Sequence, residues 1–184
     1  MIRVGRKADV YEVVPLIVEM IVEAELSILA TMSSEELTQL LQLGFQLEDY
    51  RYSYKNAIVL TNNLDETVGV AFGYPGELGP IIDQPFTPIL VSHGFSEEFV
   101  FFPDRETFQE EWYLDIMIIK ANQRGKGYGK ELLQAILNSK KGTIGLNCAQ
   151  NNPQLLQFYA SFNFKTVGSL VIGGHRYNHM QVEV

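Results

Sequence analysis

The segment from Trp112 to Leu137 holds the residues best placed to do chemistry. An apolar run, Trp112 to Ile119, breaks into Arg124-Gly125-Lys126-Gly127-Tyr128-Gly129 and then takes helical spacing at Leu132, Leu133, Ile136 and Leu137. The run is short, aromatic and β-branched, so it reads as a largely buried strand. Glycines at alternate positions between a strand and a helix let backbone N–H groups approach a ligand closely. The helix N-terminus adds about half a positive charge. Together these make a cradle for phosphate. Arg124, Lys126 and Lys130 reinforce it, since residues 120–141 carry six basic groups against the single acid Glu131. Two common phosphate loops do not fit. A P-loop needs Ser or Thr after its lysine to hold magnesium, and here Glu131 follows Lys130. A dinucleotide fingerprint needs Gly-x-Gly-x-x-Gly after the first strand, whereas Gly125, Gly127 and Gly129 are spaced differently and lie late in the chain.

A second segment follows a strand at Ile144–Ala149: Asn151-Asn152-Pro153-Gln154-Leu155-Leu156-Gln157-Phe158-Tyr159, then Phe162-Asn163-Phe164. Asn152 suits an N-cap, and Pro153 suits the first helical position because its missing N–H costs nothing there. The two segments together resemble the GNAT superfamily of acyl-CoA N-acyltransferases. Arg124-x-x-Gly127-x-Gly129 is similar to that family's pyrophosphate-binding pattern, and Asn152 to Tyr159 to its Asn-x-x-Ala-x-x-Phe-Tyr segment. Leu155 replaces the family's usual small residue, and Asn163 its usual Gly; Asn is the next-best residue for a left-handed helix end. Ile2-Arg3, with Ala8-Asp9 before a helix, also resembles the family's start. The likeness spans the chain except for residues 75–111. It implies an α/β (α+β) fold: a mixed, mostly antiparallel sheet with helices on both faces, and an acidic Pro-rich insert before the cofactor-binding strand. Residues 1–184 are expected to form one domain.

The resemblance also implies the chemistry: acetyl transfer from acetyl-CoA to an amine by direct attack in a ternary complex. It implies that the pantetheine arm pairs with the backbone of Met117, Ile118 and Ile119. The pyrophosphate then lies on Arg124, Gly125, Lys126, Gly127, Tyr128, Gly129 and Lys130, and Asn152 belongs to the same cofactor-binding set. Tyr159 matches the family's general acid toward the leaving thiolate. Its reference pKa lies about 1.5 units above a thiol's, so full proton transfer is uphill by roughly 2 kcal/mol and a hydrogen bond to the thiolate is an equal candidate. A packing role beside Phe158 is the competing reading of this tyrosine. The base is sought on the 112–119 strand, where alternation puts Tyr113, Asp115, Met117 and Ile119 on one face. Asp115 is the only charge in that apolar run, and a buried charge is expensive without a partner or a task. It is the best match to the family's carboxylate; a structural ion pair, or water as the base, stand beside that reading. His175, Tyr177 and His179 alternate on the last strand, so His175 and Tyr177, with Tyr113, are expected to wall the acceptor pocket. No third ligand stands near the two histidines, and no metal is expected.

Several elements must position these groups. Asp9-x-x-Glu12 reads as a capping box opening a helix with Val10, Val13, Val14, Ile17, Val18 and Ile21 on one face, and Ser33-x-x-Glu36 as another. Strands are expected at about 56–60 and 67–73 with a turn at Asn62-Asn63, and a last pair at 165–172 and 176–184 joined by Gly173-Gly174. Residues 75–111 hold five of the seven prolines and eight acids against Arg105 alone, so nearly all of the chain's net charge of −8 is local to them. Phe86, Ile89, Leu90, Val91, Phe95, Phe99, Phe101 and Phe102 suggest short helices that pack, since a structureless loop of that length is unusual. Two readings stand: a wall that draws a cation to the acceptor site, or a solvated excursion at a homodimer contact. Either argues against nucleic acid as a partner. No run reaches the length of a membrane span and none reads as a signal peptide; the lone Cys148 reads as a buried strand thiol. The expectation is a cytoplasmic enzyme acting on a small-molecule or peptide amine.

Overall fold

A computed structural model describes residues 1–184, the side chain of Ser27 apart. Seven strands build one sheet: β1 (Ile2–Val4), β2 (Ala57–Thr61), β3 (Thr67–Pro75), β4 (Glu111–Ile119), β5 (Thr143–Ala149), β6 (Lys165–Ile172) and β7 (His175–Glu183). Their order is β1-β2-β3-β4-β5-β7-β6, and every neighbouring pair is antiparallel except β4 with β5. A parallel pair needs a crossover, and α4 (Tyr128–Ser139) supplies it.

Helices cover both faces. Helices α1 (Val10–Glu23) and α2 (Ser34–Phe45) bury Val13, Ile17, Leu37 and Phe45 against Phe72, Ile116 and Ile118. On the other face α4 and α5 (Pro153–Ala160) bury Leu132, Leu133, Ile136 and Tyr159 against Ala71, Leu114 and Leu146. Helix α2 opens with the expected box: Glu36 N–H donates to Ser33 Oγ, and Ser33 N–H donates to Glu36. Helix α1 does not. The Asp9 carboxylate instead accepts from the Arg6 backbone N–H and from both terminal nitrogens of Arg3, while Glu12 accepts from the Thr67 backbone. A guanidinium fork outcompetes a lone backbone N–H for a carboxylate, so Asp9 ties β1 to the helix rather than capping it.

The insert is ordered and packed. After β3 come two short 3-10 turns, Gly76–Leu78 and Gln84–Phe86, and α3 (Thr87–Ser92). Phe86 stacks on Tyr50 at 4.6 Å and meets Phe101 edge-on, and Phe101 in turn packs on Phe102. Val91 is the exception, turned out to solvent. Polar ties hold the return strip to the body. Thr107 donates to the Gly76 carbonyl, and Asp104 accepts from the Gly173 N–H in the β6–β7 turn.

One irregularity decides the site. Along the β3–β4 ladder Phe72 faces Ile116 but Gly73 faces Leu114, so Asp115 is an extra residue without a β3 partner. A bulge of this kind reverses the alternation of the strand. Tyr113, Ile116 and Ile118 therefore turn to the α1 and insert side, while Trp112, Leu114, Met117 and Ile119 turn to α4. The expected common face of Tyr113, Asp115, Met117 and Ile119 is thus overturned: strict period two does not survive the bulge. Gly73 permits it, because a Cβ there would collide with the Trp112 ring and the Tyr113 carbonyl.

Candidate active site

Strands β4 and β5 part company just beyond the bulge. Their ladder runs from Glu111–Thr143 to Leu114–Leu146 and stops, although β4 continues to Ile119 and β5 to Ala149. From Asp115 onward each strand keeps only its outer neighbour, so the two facing edges are free to pair with an extended ligand. Met117 and Ile119 pack toward α4 and Ile118 toward α1, which leaves backbone rather than side chain to line the opening.

The cradle lies at the far end of β4. Gly127 is the N-cap of α4 with φ of 89°, and Gly125 has φ of 78°, both in the left-handed region that glycine tolerates at no steric cost. A Cβ added at either position would meet nothing within 4 Å, so the loop faces open space with the unpaired N–H groups of the first helical turn behind it. That suits a pyrophosphate. The side chains are arranged less simply. Arg124 donates to the Ile119 carbonyl and to Glu19 and Glu23 of α1, and Lys126 donates to Gln123. Lys130, Tyr128 and Gly129 begin the helix. Asn152 caps α5, its side-chain oxygen accepting from Leu155 N–H at 3.0 Å, and Asn163 ends that segment with φ of 67°.

Tyr159 stands on α5 and is 7 % exposed, packed against Phe158 and Phe164. Burial holds its hydroxyl well above the usual tyrosine range, and the Cys148 thiol adds to the rise. It stays protonated at any physiological pH, as a donor to a leaving group must be.

Asp115 points into a cavity of about 100 Å³ shared with Arg51, Glu106, Tyr113, Asn147 and Tyr177. Its carboxylate is 5 % exposed. Burial pushes it up to about 7; the Arg51 guanidinium pulls it down, while the charges of Glu106 and Asp83 add to the rise. Arg51, itself 3 % exposed, is the hub. Its Nε donates to both Asp83 oxygens at 2.9 and 3.0 Å, its Nη1 to Glu106 at 3.2 Å, and the same Nη1 reaches Asp115 only at 3.5 Å. The guanidinium lies 4.4 Å over the Phe102 ring. Three carboxylates share one cation, and Asp115 has the weakest hold on it.

A buried network fixes the other wall. Tyr113 donates to Glu106 and accepts from Asn147 Nδ2, which also donates to the Glu106 carbonyl. The Asn147 oxygen consequently faces His179 Nδ1 at 2.7 Å, and His179 Nε2 meets Glu111 at 2.9 Å. Both ring nitrogens are thereby engaged, Nδ1 with Asn147 and Nε2 with Glu111, which fixes the plane of the buried imidazole. Glu111 also accepts from Gln181 and from the Phe108 N–H, and Phe108 stacks on the imidazole at 4.0 Å. Of the residues expected to wall the pocket, Tyr113 and Tyr177 line the cavity. His175 is exposed at the hairpin end and lines neither this cavity nor the larger one beside it. Arg51 and Asn147 carry no signature in the sequence; His179 stands out only by its alternation with His175 and Tyr177, and Asp104, Glu106 and Glu111 lie among the insert acids without being distinguished from the rest.

Comparison with known proteins supplies the class. The acetyltransferase (GNAT) domain model matches residues 94–166, which include the cradle and the Asn152–Tyr159 segment. A solved structure of an acetyltransferase is 37 % identical over 100 % of this chain and 99 % of its own, with a TM-score of 0.87. An N-acetyltransferase from Staphylococcus aureus Mu50 shares the fold at 22 % identity and a TM-score of 0.88, with 99 % of this chain and 100 % of that one covered. Ard1 from Thermoplasma volcanium is more distant, at 16 % identity and a TM-score of 0.56 over 100 % of this chain and 97 % of its own. No functionally curated protein matches the sequence. The chain belongs to the GNAT acetyltransferases, enzymes that move an acetyl group, with acetyl-CoA as the co-substrate the family implies. Among the described residues no helix is long and apolar enough to cross a membrane.

Proposed function

We propose that residues 1–184 act as one catalytic domain that acetylates a primary amine, arriving as its ammonium ion, by direct attack on acetyl-CoA in a ternary complex. The observation that carries this reading is Asp115. It is buried at the point where β4 and β5 part, its carboxyl is raised to about 7, and it is the least neutralised of the three acids around Arg51. A carboxylate so placed attracts an ammonium and takes its proton near neutral pH. The amine nitrogen then bonds to the thioester carbon as the carbon–sulfur bond breaks. The free β4 edge supports an extended pantetheine and a backbone N–H toward the developing oxyanion. The departing sulfur takes a proton, or a hydrogen bond, from Tyr159. Gly125, Gly127 and the α4 N-terminus are the candidates for holding the pyrophosphate, with Lys126, Lys130 and Arg124 around it; Arg124 would exchange Glu19 and Glu23 for phosphate.

Turnover of acetyl-CoA with a panel of primary amines tests the reading. Cationic amines are expected to be acetylated and anionic ones ignored. Tyr159→Phe keeps the ring and removes the hydroxyl, and kcat is expected to fall by about 10² with little change in CoA affinity. A kcat within threefold of the parent removes Tyr159 from the chemistry. CoA binding without turnover of any amine would make the chain a non-catalytic acyl-CoA-binding domain.

A further inference from the structure

Beside the cavity at Asp115 lies a second, of about 540 Å³. The two abut at Arg51 and Glu106 and share the strip Phe101–Asp104 as a common wall. The smaller cavity accommodates the reacting end of an acceptor and little more; the larger has room for a body several carbons long. Its inner surface combines apolar groups, Phe86, Leu90 and Phe99, with the charged group around Arg51.

Two independent observations say what belongs there. The first is charge. Asp83, Glu106 and Asp115 surround a single buried guanidinium, so the cluster is two positive charges short of neutrality when all three acids are ionised. Buried charge without a counterion is unfavourable, and one incoming ammonium corrects only half of the shortfall. The second is Tyr74. Its side chain is 1 % exposed and lines the larger cavity, and its hydroxyl makes no hydrogen bond of ordinary length and angle, although it lies near enough to Asp115 to pull that carboxyl slightly down. It sits in the field of Asp115, Glu106 and Asp83, opposed by Arg51. A hydroxyl so placed accepts from a cationic N–H donor at no further desolvation cost to itself.

We propose that the larger cavity is a subsite for a second positively charged group of the acceptor. The substrate class is therefore an aliphatic chain with amines at two positions, one at Asp115 and the other beside Tyr74, Asp83 and Glu106. This rests on the reading of Asp115 as the site of the reacting amine.

The experiment compares cadaverine, a five-carbon diamine, with n-pentylamine, the same chain bearing one amine. The kcat/KM for cadaverine should exceed that for pentylamine by about tenfold or more, carried by KM. Tyr74→Phe should reduce the advantage of cadaverine over pentylamine severalfold, over and above any change in the turnover of both amines that follows from its place beside Asp115. Thr87→Lys, which adds a cation at the rim of the larger cavity, should do the same and serves if the Tyr74 variant folds poorly. Equal kcat/KM for the two amines, or an advantage untouched by both substitutions, overturns the subsite. If neither amine is acetylated, the acetyl-transfer reading fails separately. Calorimetric titration of the CoA-loaded protein with the two amines then decides the subsite alone: cadaverine binding that weakens in either variant sustains it, and no preference for cadaverine ends it.

Discussion

Asp115 combines three properties that rarely coincide: no strand partner, almost no water, and a counterion already committed to Asp83 and Glu106. Its carboxyl, raised to about 7, gives a signed prediction. As the base it must be ionised, so kcat/KM should rise with pH through about 7, and Asp115→Asn should lower it by about 10² or more and flatten that limb. Stability runs the other way. The folded value lies above an unfolded value of about 3.9, so the native state holds the extra proton between those limits, and stability falls as pH rises through that window. Asp115→Asn should therefore be more stable than the parent at pH 8, on the order of 2 kcal/mol, with the gap closing toward pH 4. Thermal melts at several pH values check this, and a variant less stable at pH 8 would show that the ionised carboxylate supports the fold. Asp115 was legible in the sequence because a single charge interrupts an apolar run. Arg51 was not, since it stands between the alternating Tyr50, Tyr52 and Tyr54 with no motif of its own and its three partners come from residues 83, 106 and 115. A hub made of distant contacts leaves no local trace.

At the scale of elements, the sheet performs two operations on β4: a bulge redirects one residue and the loss of β5 frees an edge. The glycine loop then starts α4 with a residue that side chains rarely accept. Gly127→Val puts a β-branched residue at φ of 89° and fills the open space over the loop. The strain costs about 1–2 kcal/mol, and CoA affinity is expected to fall by at least about tenfold in a protein that still folds. Calorimetric titration with CoA measures it, and an unchanged affinity would separate the loop from cofactor binding. The loop, the Asn152 cap and the final hairpin were readable because each rests on glycine, asparagine or proline geometry within a few residues. The α1 cap was misread because Asp9 answers to Arg3, on a neighbouring element, and the facing of Met117 and Ile119 because a bulge has no reliable signature.

Across the whole molecule the charge is unevenly spread. Residues 75–111 carry most of the −8, and their return strip walls the cavity at Asp115, tied to the body at Gly76 and Gly173. The wall reading of the insert, one of two that composition left open, is the one this placement favours. The cationic acceptor proposed above would then be steered over a distance comparable with the Debye length of about 8–10 Å at physiological salt. Raising ionic strength should raise its KM severalfold while CoA affinity, read against a basic loop, weakens on its own separate curve. Glu110→Gln, outside both cavities, should mimic part of the effect on acceptor KM and none on CoA. A KM for the amine that ignores salt would locate recognition in short-range contacts alone. The aromatic content of the insert announced that it would pack; which of its acids would face inward depended on ties to Arg51, to β4 and β5 and to the β6–β7 turn that composition cannot express.

The Glu111–His179 pair has a consequence for which substitutions the chain tolerates. Gly145 on β5 lies directly beneath Glu111, and a Cβ there would collide with the Glu111 carboxylate. Positions 145 and 111 are therefore not free to vary independently. Gly145→Ala should destabilise the parent by about 2 kcal/mol or more by dislodging a buried charge from its partners, yet cost far less in a Glu111→Ala background, where nothing is left to displace. A double-mutant cycle should give a coupling of at least about 1 kcal/mol. In a selection for folded variants with both positions randomised, survivors that replace the glycine at 145 should be those that have also lost the glutamate at 111.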